Sequence, residues 1–598
     1  MGRAPLADTP SSPGICSRAF SLADLACRTL VSDRAMPIAL ALVIAVAVVA
    51  PLGPLAANRF HHDEAVYSSW GLDIVSGRDL MVSGSPVDKP PLLLYLQALS
   101  FVLFGATEAA ARLPSLAASI ASVGLVYRLG QRLYSRSSGL LAAFLLAVSP
   151  FAVLFAPTAF TDPLLVALVL AACLQAAQRR WTWAGILLGL AAMTKQQGVL
   201  FVPLVVGLGC CVSRPRPLPT APTSGPAAES LTEQSRRWRA GWGVRFAIGL
   251  ALTLGVTVTW DLARGRQPGF LEQSLLSYSA LSLDPGMVWR RLSGFFDMLR
   301  YGTDSPLLNG ILVGGLPLLL ATDGLSRQTA NLIASHIPLS LSTVLRNERG
   351  EGDDARAGSH ATVAARADLV LVGFASLFLI GHALVSIQVW DRYLLGLIPL
   401  QALLLARVLT LPWRFIGAVL RSSPAPSGVA GGGSSETGAG RTRWVAWGNR
   451  PWRARGLYCV AMLGLLSATL GPLRDAAASR LPVGGDHGAY DGIEQVVDYF
   501  KAVPADTTLY HRWLGSHWRF YLWGCPYDLR GWTSPDDLAT QAAARPGARR
   551  YVVFPSWHSP TEARLALQTR GLALREVYRT LRRDGSVSFI VYLIQEAR

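Results

Sequence analysis

Charged residues are scarce in this chain. Only 16% of its 598 residues are Asp, Glu, Lys or Arg, whereas 51% are hydrophobic. An ordinary soluble domain carries about 25% charged residues. Apolar runs of roughly 17 to 22 residues recur along most of the chain, and a helix of that length crosses a hydrocarbon core about 30 Å thick. The shortage of charge therefore argues against an ordinary soluble protein and predicts a polytopic membrane protein.

Cysteine and the familiar nucleotide motifs are also scarce or absent. Of seven cysteines, only Cys525 lies in the polar C-terminal tail, so no disulfide framework is implied there. The sequence has no Walker loop, no dinucleotide-binding glycine fingerprint, no GxSxG elbow and no cysteine-based metal motif. These absences give no support to a nucleotide-driven or cytosolic mechanism. No internal repeat is visible, which weakens a transporter interpretation because many transporter folds consist of repeated halves.

The excess of basic residues, a formal net charge of +17, is spread over loops between apolar runs. We interpret these arginines as signals of membrane topology rather than as a nucleic-acid surface. If the short apolar segment 90–105 does not cross the membrane, the Arg-rich loops all fall on the side of the N-terminal tail, which is then cytoplasmic. The extracytoplasmic face receives the other loops, which are 58–89, the turns at Asp162 and Lys195, 264–307, 390–393 and the tail from 474.

Composition divides the chain into three parts. A cytoplasmic tail, 1–35, precedes a membrane domain of about 11 to 13 transmembrane helices, 36–475. Within that domain, segments near 213–241 and 422–440 are rich in Pro, Gly, Ser, Thr and Ala, and we predict disordered cytoplasmic linkers there. The extracytoplasmic tail 476–598 mixes helical spacing with short strand-like runs, which predicts a small C-terminal α/β domain.

The first outer loop, 58–112, carries the first candidate site. Asp63 and Glu64 follow the first apolar run directly. A carboxylate near a lipid boundary is partly desolvated, which raises its pKa and makes it a better base, and Lys89 could keep it ionised. The pair could equally be a solvated helix start, since acidic residues favour the first helical turn.

Asp162 is a second acidic candidate on the same predicted face. It lies in the tripeptide Thr161-Asp162-Pro163 between two apolar runs. Two acidic sites on one face suit substrate activation or a shared divalent metal, held by Asp63 and Asp162 if a metal is present. The tripeptide also makes a sound N-terminal helix cap, with Pro at the first helical position.

Outward-facing cations form a third candidate group. Lys195 and Arg392 are flanked by apolar helices, and Tyr393 follows Arg392 directly. A phosphate at the membrane interface would need such partners, and Arg binds phosphate with bidentate geometry. The alternative is that these residues are simply interfacial anchors.

The order of these motifs resembles the GT-C superfamily, specifically the protein O-mannosyltransferase group that includes the lipid A aminoarabinose transferases. The resemblance covers roughly 38–411. It is carried by His62-Asp63-Glu64-Ala65, Asp88-Lys89-Pro90-Pro91-Leu92, Ala111-Arg112-Leu113-Pro114-Ser115, Thr161-Asp162-Pro163, Gly189-Leu190-Ala191-Ala192-Met193-Thr194-Lys195 and Asp391-Arg392-Tyr393-Leu394. One departure is Gln196-Gln197, which stands where a Gly would be expected after Lys195.

The resemblance implies an enzyme of the cell membrane that transfers a sugar from a polyprenyl-phosphate donor to an extracytoplasmic lipid, glycan or protein, by direct inverting displacement. It implies a catalytic role for the acidic residues, with Asp63 as the leading general base, and a donor-phosphate site built from the cations and the tyrosine beside Arg392. The residues implied are Asp63, Glu64 and Asp162 for catalysis, Lys89, Lys195, Arg392 and Tyr393 for the phosphate, and His62 and Arg112 as accessories. Beyond the donor lipid, no cofactor is implied with certainty.

Two other classes of function stay open on the sequence alone. A transporter or flippase of lipid-linked sugars would depend on charges buried at mid-membrane, of which few are visible. A non-catalytic scaffold predicts that Asp63, Asp162 and Arg392 lie far apart. A glycosyltransferase predicts that these three residues surround one cavity at the membrane surface.

Overall fold

The structure is a computed structural model that describes residues 35–213, 226–277, 282–336, 351–386, 388–422, 451–504 and 506–597. Nearly all of the predicted N-terminal tail and of the second predicted linker lies outside the described residues.

Helices make up most of the described chain up to residue 477. In chain order they are α1 (Ala35–Val49), α2 (Leu52–Ala57), α3 (His62–Val75), α4 (Leu92–Phe104), α5 (Glu108–Leu133), α6 (Arg136–Ala147), α7 (Pro150–Phe155), α8 (Asp162–Ala177), α9 (Trp181–Thr194), α10 (Val202–Ser213), α11 (Pro226–Ala263), α12 (Phe270–Ser277), α13 (Val288–Leu299), α14 (Pro306–His336), α15 (Glu351–Leu384), α16 (Ile398–Ser422) and α17 (Pro451–Ala477). Short 3₁₀ helices cover Gln196–Phe201, Pro285–Met287, Arg300–Gly302 and Asp391–Leu397.

Several of these helices are long and apolar enough to span a membrane. Among the described residues there are five, which are Ala35–Ala57, Glu108–Leu133, Gly241–Ala263, Thr362–Leu384 and Asp391–Pro412. A pair of helices bent by 116° would make a sixth, and shorter apolar helices of 10 to 17 residues stand beside them. The predicted polytopic helical fold is confirmed, and the total of 11 to 13 spans stays a prediction.

The first predicted linker is partly helical. Helix α11 begins at Pro226, so residues 226–241 form a helix rather than a disordered linker. Proline suits the first helical position, and the Ala, Glu, Leu and Gln residues that follow it are good helix formers. The preceding residues, 214–225, lie outside the described part of the chain.

Helix ends carry the candidate site residues. A capping box opens α3, in which the His61 side chain accepts a hydrogen bond from the Asp63 N–H (3.2 Å) and Glu64 accepts one from the His61 N–H (2.9 Å). Asp162 begins α8, and Lys195 follows the last residue of α9. Arg392 lies in the 3₁₀ helix that leads into α16. The polar residues thus lie where helices begin and end, outside the apolar helix interiors.

The C-terminal domain is a mixed sheet with helices on both faces. Its strands are β1 (Thr507–His511), β2 (Asp528–Gly531), β3 (Arg549–Pro555), β4 (Leu572–Leu581) and β5 (Val587–Glu596), and its helices are α18 (Ile493–Lys501), α19 (Gly515–Tyr521), α20 (Pro535–Ala543) and α21 (Thr561–Gln568). The strand order is β2-β1-β3-β5-β4, with β1 parallel to both its neighbours and β5 antiparallel to β3 and β4. Alternate residues of β3 face opposite cores. The predicted small α/β domain is confirmed.

Polar contacts join the C-terminal domain to the first outer loop. Arg519 on α19 pairs with Asp73 on α3, with the Arg519 Nη2 atom 2.6 and 2.7 Å from the two carboxylate oxygens. Tyr521 accepts a hydrogen bond from the Phe60 N–H (3.2 Å). The His517 Nε2 atom lies 3.1 Å from the Phe60 carbonyl oxygen, which can only accept. The first outer loop and α19 therefore form one packed unit.

The segment 481–492, which we call the strap, makes a second connection. Its Gly484 N–H donates to the Asp391 carboxylate (2.7 Å), next to Arg392. Gly484 has φ +72°, and a Cβ there would lie 2.9 Å from the Leu154 Cβ, so only glycine fits. The strap thereby ties the C-terminal domain to the 3₁₀ helix that carries Arg392.

Asp486 in the strap should make stability depend on pH. Its side chain is buried, and among the described residues its Oδ1 atom has no hydrogen-bond partner. Burial raises the pKa of this carboxyl to about 6, above its ordinary value of 3.8. A carboxyl whose pKa is higher in the folded chain stabilises the fold fully below the unfolded pKa, and this contribution disappears as the pH rises through the folded pKa.

We therefore expect Asp486→Asn to be more stable than the wild type near neutral pH, by up to roughly 3 kcal/mol, because the variant removes a carboxyl that must ionise while buried. The advantage should shrink as the pH falls through about 6. Thermal unfolding in detergent at several pH values measures it, with the exposed residue Asp498→Asn on α18 as control. A difference that is independent of pH would contradict the assignment.

Candidate active site

A polar cavity of about 490 Å³ lies between the first outer loop and the C-terminal domain. Its walls combine side chains from α3, the loop before α4, the 3₁₀ helix at 391–397 and α19, including His62, Asp63, Asp88, Lys89, Arg392 and Arg519. Four of the residues predicted for the site, His62, Asp63, Lys89 and Arg392, therefore face one cavity.

Asp63 and Arg392 form an ion pair at the wall of this polar cavity, although 329 positions separate them in the sequence. Both side chains are mostly buried, with 25% and 17% of their surface exposed. Burial by itself raises the pKa of Asp63, but the charge of Arg392 and the hydrogen bond it donates hold that pKa below its ordinary value. Asp63 is thus ionised near neutral pH, with its charge balanced by Arg392.

Glu64, the neighbour of Asp63, points away from the polar cavity. Its carboxylate is fully buried and accepts hydrogen bonds from Arg112 Nε (3.1 Å), from the Ala159 N–H (2.6 Å) and from the His61 N–H. Arg112 is also buried, and its Nη1 atom donates to the Asn58 carbonyl oxygen (2.9 Å). Glu64 and Arg112 therefore join three segments behind the cavity, in a structural position rather than at a reacting surface.

An apolar cavity of about 440 Å³ lies beside the 3₁₀ helix at 391–397, which contributes Tyr393 to its wall. Side chains of α15 such as Phe374 and Leu377 line it, and its polar end carries Lys195, Gln196 and Tyr393. Lys195 Nζ lies 4.8 Å from the centre of the Tyr393 ring. The apolar cavity has the composition expected of a site for a hydrocarbon chain with a polar head.

Asp162 is buried behind Lys195, which lines the apolar cavity. Its Oδ1 atom lies 2.7 Å from Lys195 Nζ, and both side chains are about 95% buried. Asp162 is thus brought to Lys195 rather than onto the wall of the polar cavity. Asp63 and Arg392 line one cavity as predicted, whereas Asp162 lines neither of the two cavities and pairs with Lys195 instead.

The two cavities meet at consecutive residues. Arg392 lines the polar cavity and Tyr393 lines the apolar cavity. Gln196 bridges the same boundary, because its Nε2 atom donates to the Asp88 carbonyl oxygen (2.6 Å) and to Ser274 Oγ (2.7 Å). We call this boundary, with Lys195 and Arg392 on its two sides, the junction.

The arrangement does not favour a metal held by Asp63 and Asp162. Each carboxylate is already paired with a cationic side chain. In the part of the chain that the structure describes, no cluster of three or more His, Cys, Asp or Glu side chains has metal-binding geometry.

Sequence reasoning missed the contribution of the C-terminal domain. Ser516 and Arg519 line the polar cavity, and the His517 ring lies 6.1 Å from the His62 ring. Arg519 is 446 positions from its partner Asp73, and no local pattern signals such a contact. Asp88, the first residue of the motif Asp88-Lys89-Pro90-Pro91-Leu92, pairs with Lys89 at the cavity wall.

Sequence comparison relates part of the chain to known proteins. Residues 88–214 match the family described as dolichyl-phosphate-mannose-protein mannosyltransferase. Two proteins of Bacillus subtilis (strain 168) named as candidate mannosyltransferases, YkcB and YycA, are 36% identical over 86 residues and 32% identical over 128 residues. These matches cover 14% and 20% of this chain, and they span only 12% and 19% of the relatives' own lengths.

Fold comparison covers nearly the whole chain. The crystal structure of ArnT from Cupriavidus metallidurans bound to undecaprenyl phosphate has a TM-score of 0.53 at 16% identity, and the match covers 94% of this chain and 98% of that one. The apo state of ArnT gives a TM-score of 0.54 at 15% identity, over 92% and 97% of the two chains. The chain therefore shares the fold of ArnT, and the likeness holds at the level of fold.

Removing Arg112 should destabilise the protein, because the fully buried carboxylate of Glu64 would lose its countercharge. Breaking a buried ion pair by deleting one partner costs about 3 to 5 kcal/mol. We expect Arg112→Ala to lower the midpoint of thermal unfolding clearly, and Arg128→Ala, at an exposed position of the same helix, to leave it almost unchanged. Equal midpoints for the two variants would show that the Glu64–Arg112 pair does not hold the site together.

Proposed function

We propose that the protein is a membrane glycosyltransferase that transfers a sugar from a polyprenyl-phosphate donor to an extracytoplasmic acceptor. The observation that supports this most directly is the junction, where a polar cavity and an apolar cavity meet at adjacent cationic and aromatic side chains. The family match over residues 88–214 and the fold shared with ArnT, which was crystallised with undecaprenyl phosphate, point in the same direction.

In this proposal, one donor molecule occupies both cavities. Its hydrocarbon chain occupies the apolar cavity, where burial of apolar surface contributes about 25 cal/mol per Å². Its phosphate lies at the junction between Lys195 and Arg392, with Tyr393 beside it. Its sugar enters the polar cavity, where Asp63 and Lys89 line the wall.

Phosphate binding also makes Asp63 a stronger base in this proposal. Asp63 is a weak base while Arg392 is its partner, because the cation stabilises the ionised carboxylate. A phosphate that engages Arg392 adds a negative charge beside Asp63 and competes for the guanidinium, and both effects raise the proton affinity of the carboxylate. The base is therefore strengthened when the donor is in place.

The reaction is then a single displacement. The acceptor hydroxyl gives its proton to Asp63 while its oxygen attacks the anomeric carbon. The bond between that carbon and the phosphate oxygen breaks, and the polyprenyl phosphate leaves with the electron pair. Lys195, Arg392 and Lys89 stabilise the charge that develops on the leaving phosphate. Attack opposite the leaving group inverts the anomeric configuration.

The remaining predicted residues take supporting roles in this proposal. Glu64 and Arg112 position α3 and hence Asp63, since both are buried away from the polar cavity. Asp162 holds Lys195 at 2.7 Å and fixes its direction. His62 lines the polar cavity beside Asp63 and is placed to contact the sugar or the acceptor.

The active site lies on the extracytoplasmic face of the cell membrane in this proposal, and lipids, glycans and proteins are all candidate acceptors. The support is the distribution of arginines, which places the loops opposite the site in the cytoplasm. The chain is then a multi-pass membrane protein whose C-terminal domain covers the site from outside.

Asp63→Asn should abolish sugar transfer, because the amide cannot take the acceptor proton, with a loss of at least about 100-fold in turnover. The measurement is sugar release from polyprenyl-phosphate sugars by protein purified into lipid, with several sugars compared. Asp498→Asn, which is exposed on α18, is the matched control. Wild-type turnover that survives in Asp63→Asn would remove Asp63 as the base.

Labelling with a membrane-impermeant maleimide should establish the orientation. In a background without the seven native cysteines, Asp498→Cys should react in intact cells, and Arg136→Cys, which follows the span Glu108–Leu133, should react only after permeabilisation. Both positions are exposed, and they lie on opposite predicted faces. The reverse pattern would place the site in the cytoplasm and refute the proposed topology.

A further inference from the structure

The cations around the two cavities are already neutralised. Every Lys and Arg that lines either cavity in the described structure has a carboxylate partner, the pairs being Lys89–Asp88, Lys195–Asp162, Arg392–Asp63 and Arg519–Asp73. A donor phosphodiester adds one negative charge to this neutral set. A charge held next to apolar walls is costly unless an opposite charge balances it.

His382 is a titratable side chain of the apolar cavity to which the proposed reaction assigns no role. It lies on α15 and lines the apolar cavity together with Lys195 and Tyr393. Only 6% of its surface is exposed. Its ring centre is 6.1 Å from that of Tyr393, the ring that also contacts Lys195. His382 is therefore placed at the polar end of the cavity, beside the junction.

The tautomer of His382 is set by its own helix. Its Nδ1 atom lies 2.9 Å from the carbonyl oxygen of Phe378, which only accepts, so Nδ1 carries the hydrogen. The ring also stacks on Phe378, with the centres 4.1 Å apart. In the neutral side chain Nε2 is thus the nitrogen without a hydrogen, and it is the atom that can take up a proton.

The charges around His382 decide when it is protonated. Lys195 lines the same cavity, and its charge is balanced by Asp162. From α13, Phe295 faces the ring, and Arg291 donates to the neighbouring Ala383 carbonyl while it pairs with Asp284. These charges are balanced in pairs, so an anion bound at Lys195 would be the change that favours protonation.

We infer that His382 takes up a proton from solvent when the carrier phosphate binds, and that the resulting imidazolium supplies the countercharge that the paired lysines and arginines do not. The inference rests on the proposed function, because it assigns a further phosphate-recognition residue to the same donor. It makes donor binding depend on pH, with tighter binding as the pH falls, because the bound state holds one more proton than the free state.

Calorimetry with a polyprenyl methyl phosphodiester tests the inference, because this ligand keeps one negative charge near neutral pH and cannot itself take up a proton. The full chain in lipid nanodiscs is titrated near pH 7 in two buffers of different ionisation enthalpy, which yields the number of protons taken up. The uncharged polyprenol is the matched ligand. We expect uptake approaching about one proton with the diester and none with polyprenol.

His382→Gln and His382→Asn should lose this uptake and bind the diester about tenfold more weakly, while their affinity for polyprenol, which reports an intact cavity, is unchanged. His558→Gln, in the C-terminal domain, should behave as the wild type. Proton uptake that persists in both His382 variants, or that is lost in His62→Gln instead, would overturn the assignment.

The wild type alone separates this inference from the proposed function. Binding of the diester without proton uptake would refute the role of His382 and leave the carrier site standing. Failure of folded wild type to bind the diester in preference to polyprenol would refute both.

Discussion

The buried carboxylate of Glu64 is the constraint on which the site depends. It takes hydrogen bonds from the start of its own helix, from Arg112 on α5 and from the Ala159 N–H just before α8. A carboxylate without solvent must be paired in this way, and the donors come from three separate segments. Satisfying Glu64 fixes the direction of α3, and with it the position of Asp63 at the cavity wall.

Paired opposite charges then give the site its chemical character. The pairs Asp63–Arg392 and Asp162–Lys195 keep four charged side chains largely buried with their charges balanced. Such a set is stable without a ligand and is disturbed when an extra anion enters. In the proposed mechanism, donor binding, activation of the base and stabilisation of the leaving phosphate all follow from that disturbance. The C-terminal domain contributes by closing the polar cavity with α19 and by tying the strap to Asp391.

The sequence predicted the helical membrane fold well, because apolar runs and helix caps are local signals. It placed Asp63, Lys89, Lys195 and Arg392 in one region through loop positions and family resemblance. It could not separate the roles of Asp63 and Glu64, since successive residues of a helix point about 100° apart and only packing decides which one is buried.

Contacts between residues that are far apart in the sequence could not be predicted from it. The pairing of Arg519 with Asp73 and the place of His382 in the apolar cavity depend on how distant helices pack. A lone histidine on an apolar helix carries no signal of that position in the sequence.

A structure of the chain determined with the polyprenyl methyl phosphodiester bound tests the central claim most directly. The account predicts phosphate density at the junction between Lys195 and Arg392, with the hydrocarbon chain in the apolar cavity. Leu99, Leu103 and Leu164 line an apolar groove between α4, α5 and α8, and none of the described residues that line it is Lys or Arg. Phosphate density in that groove would contradict the account.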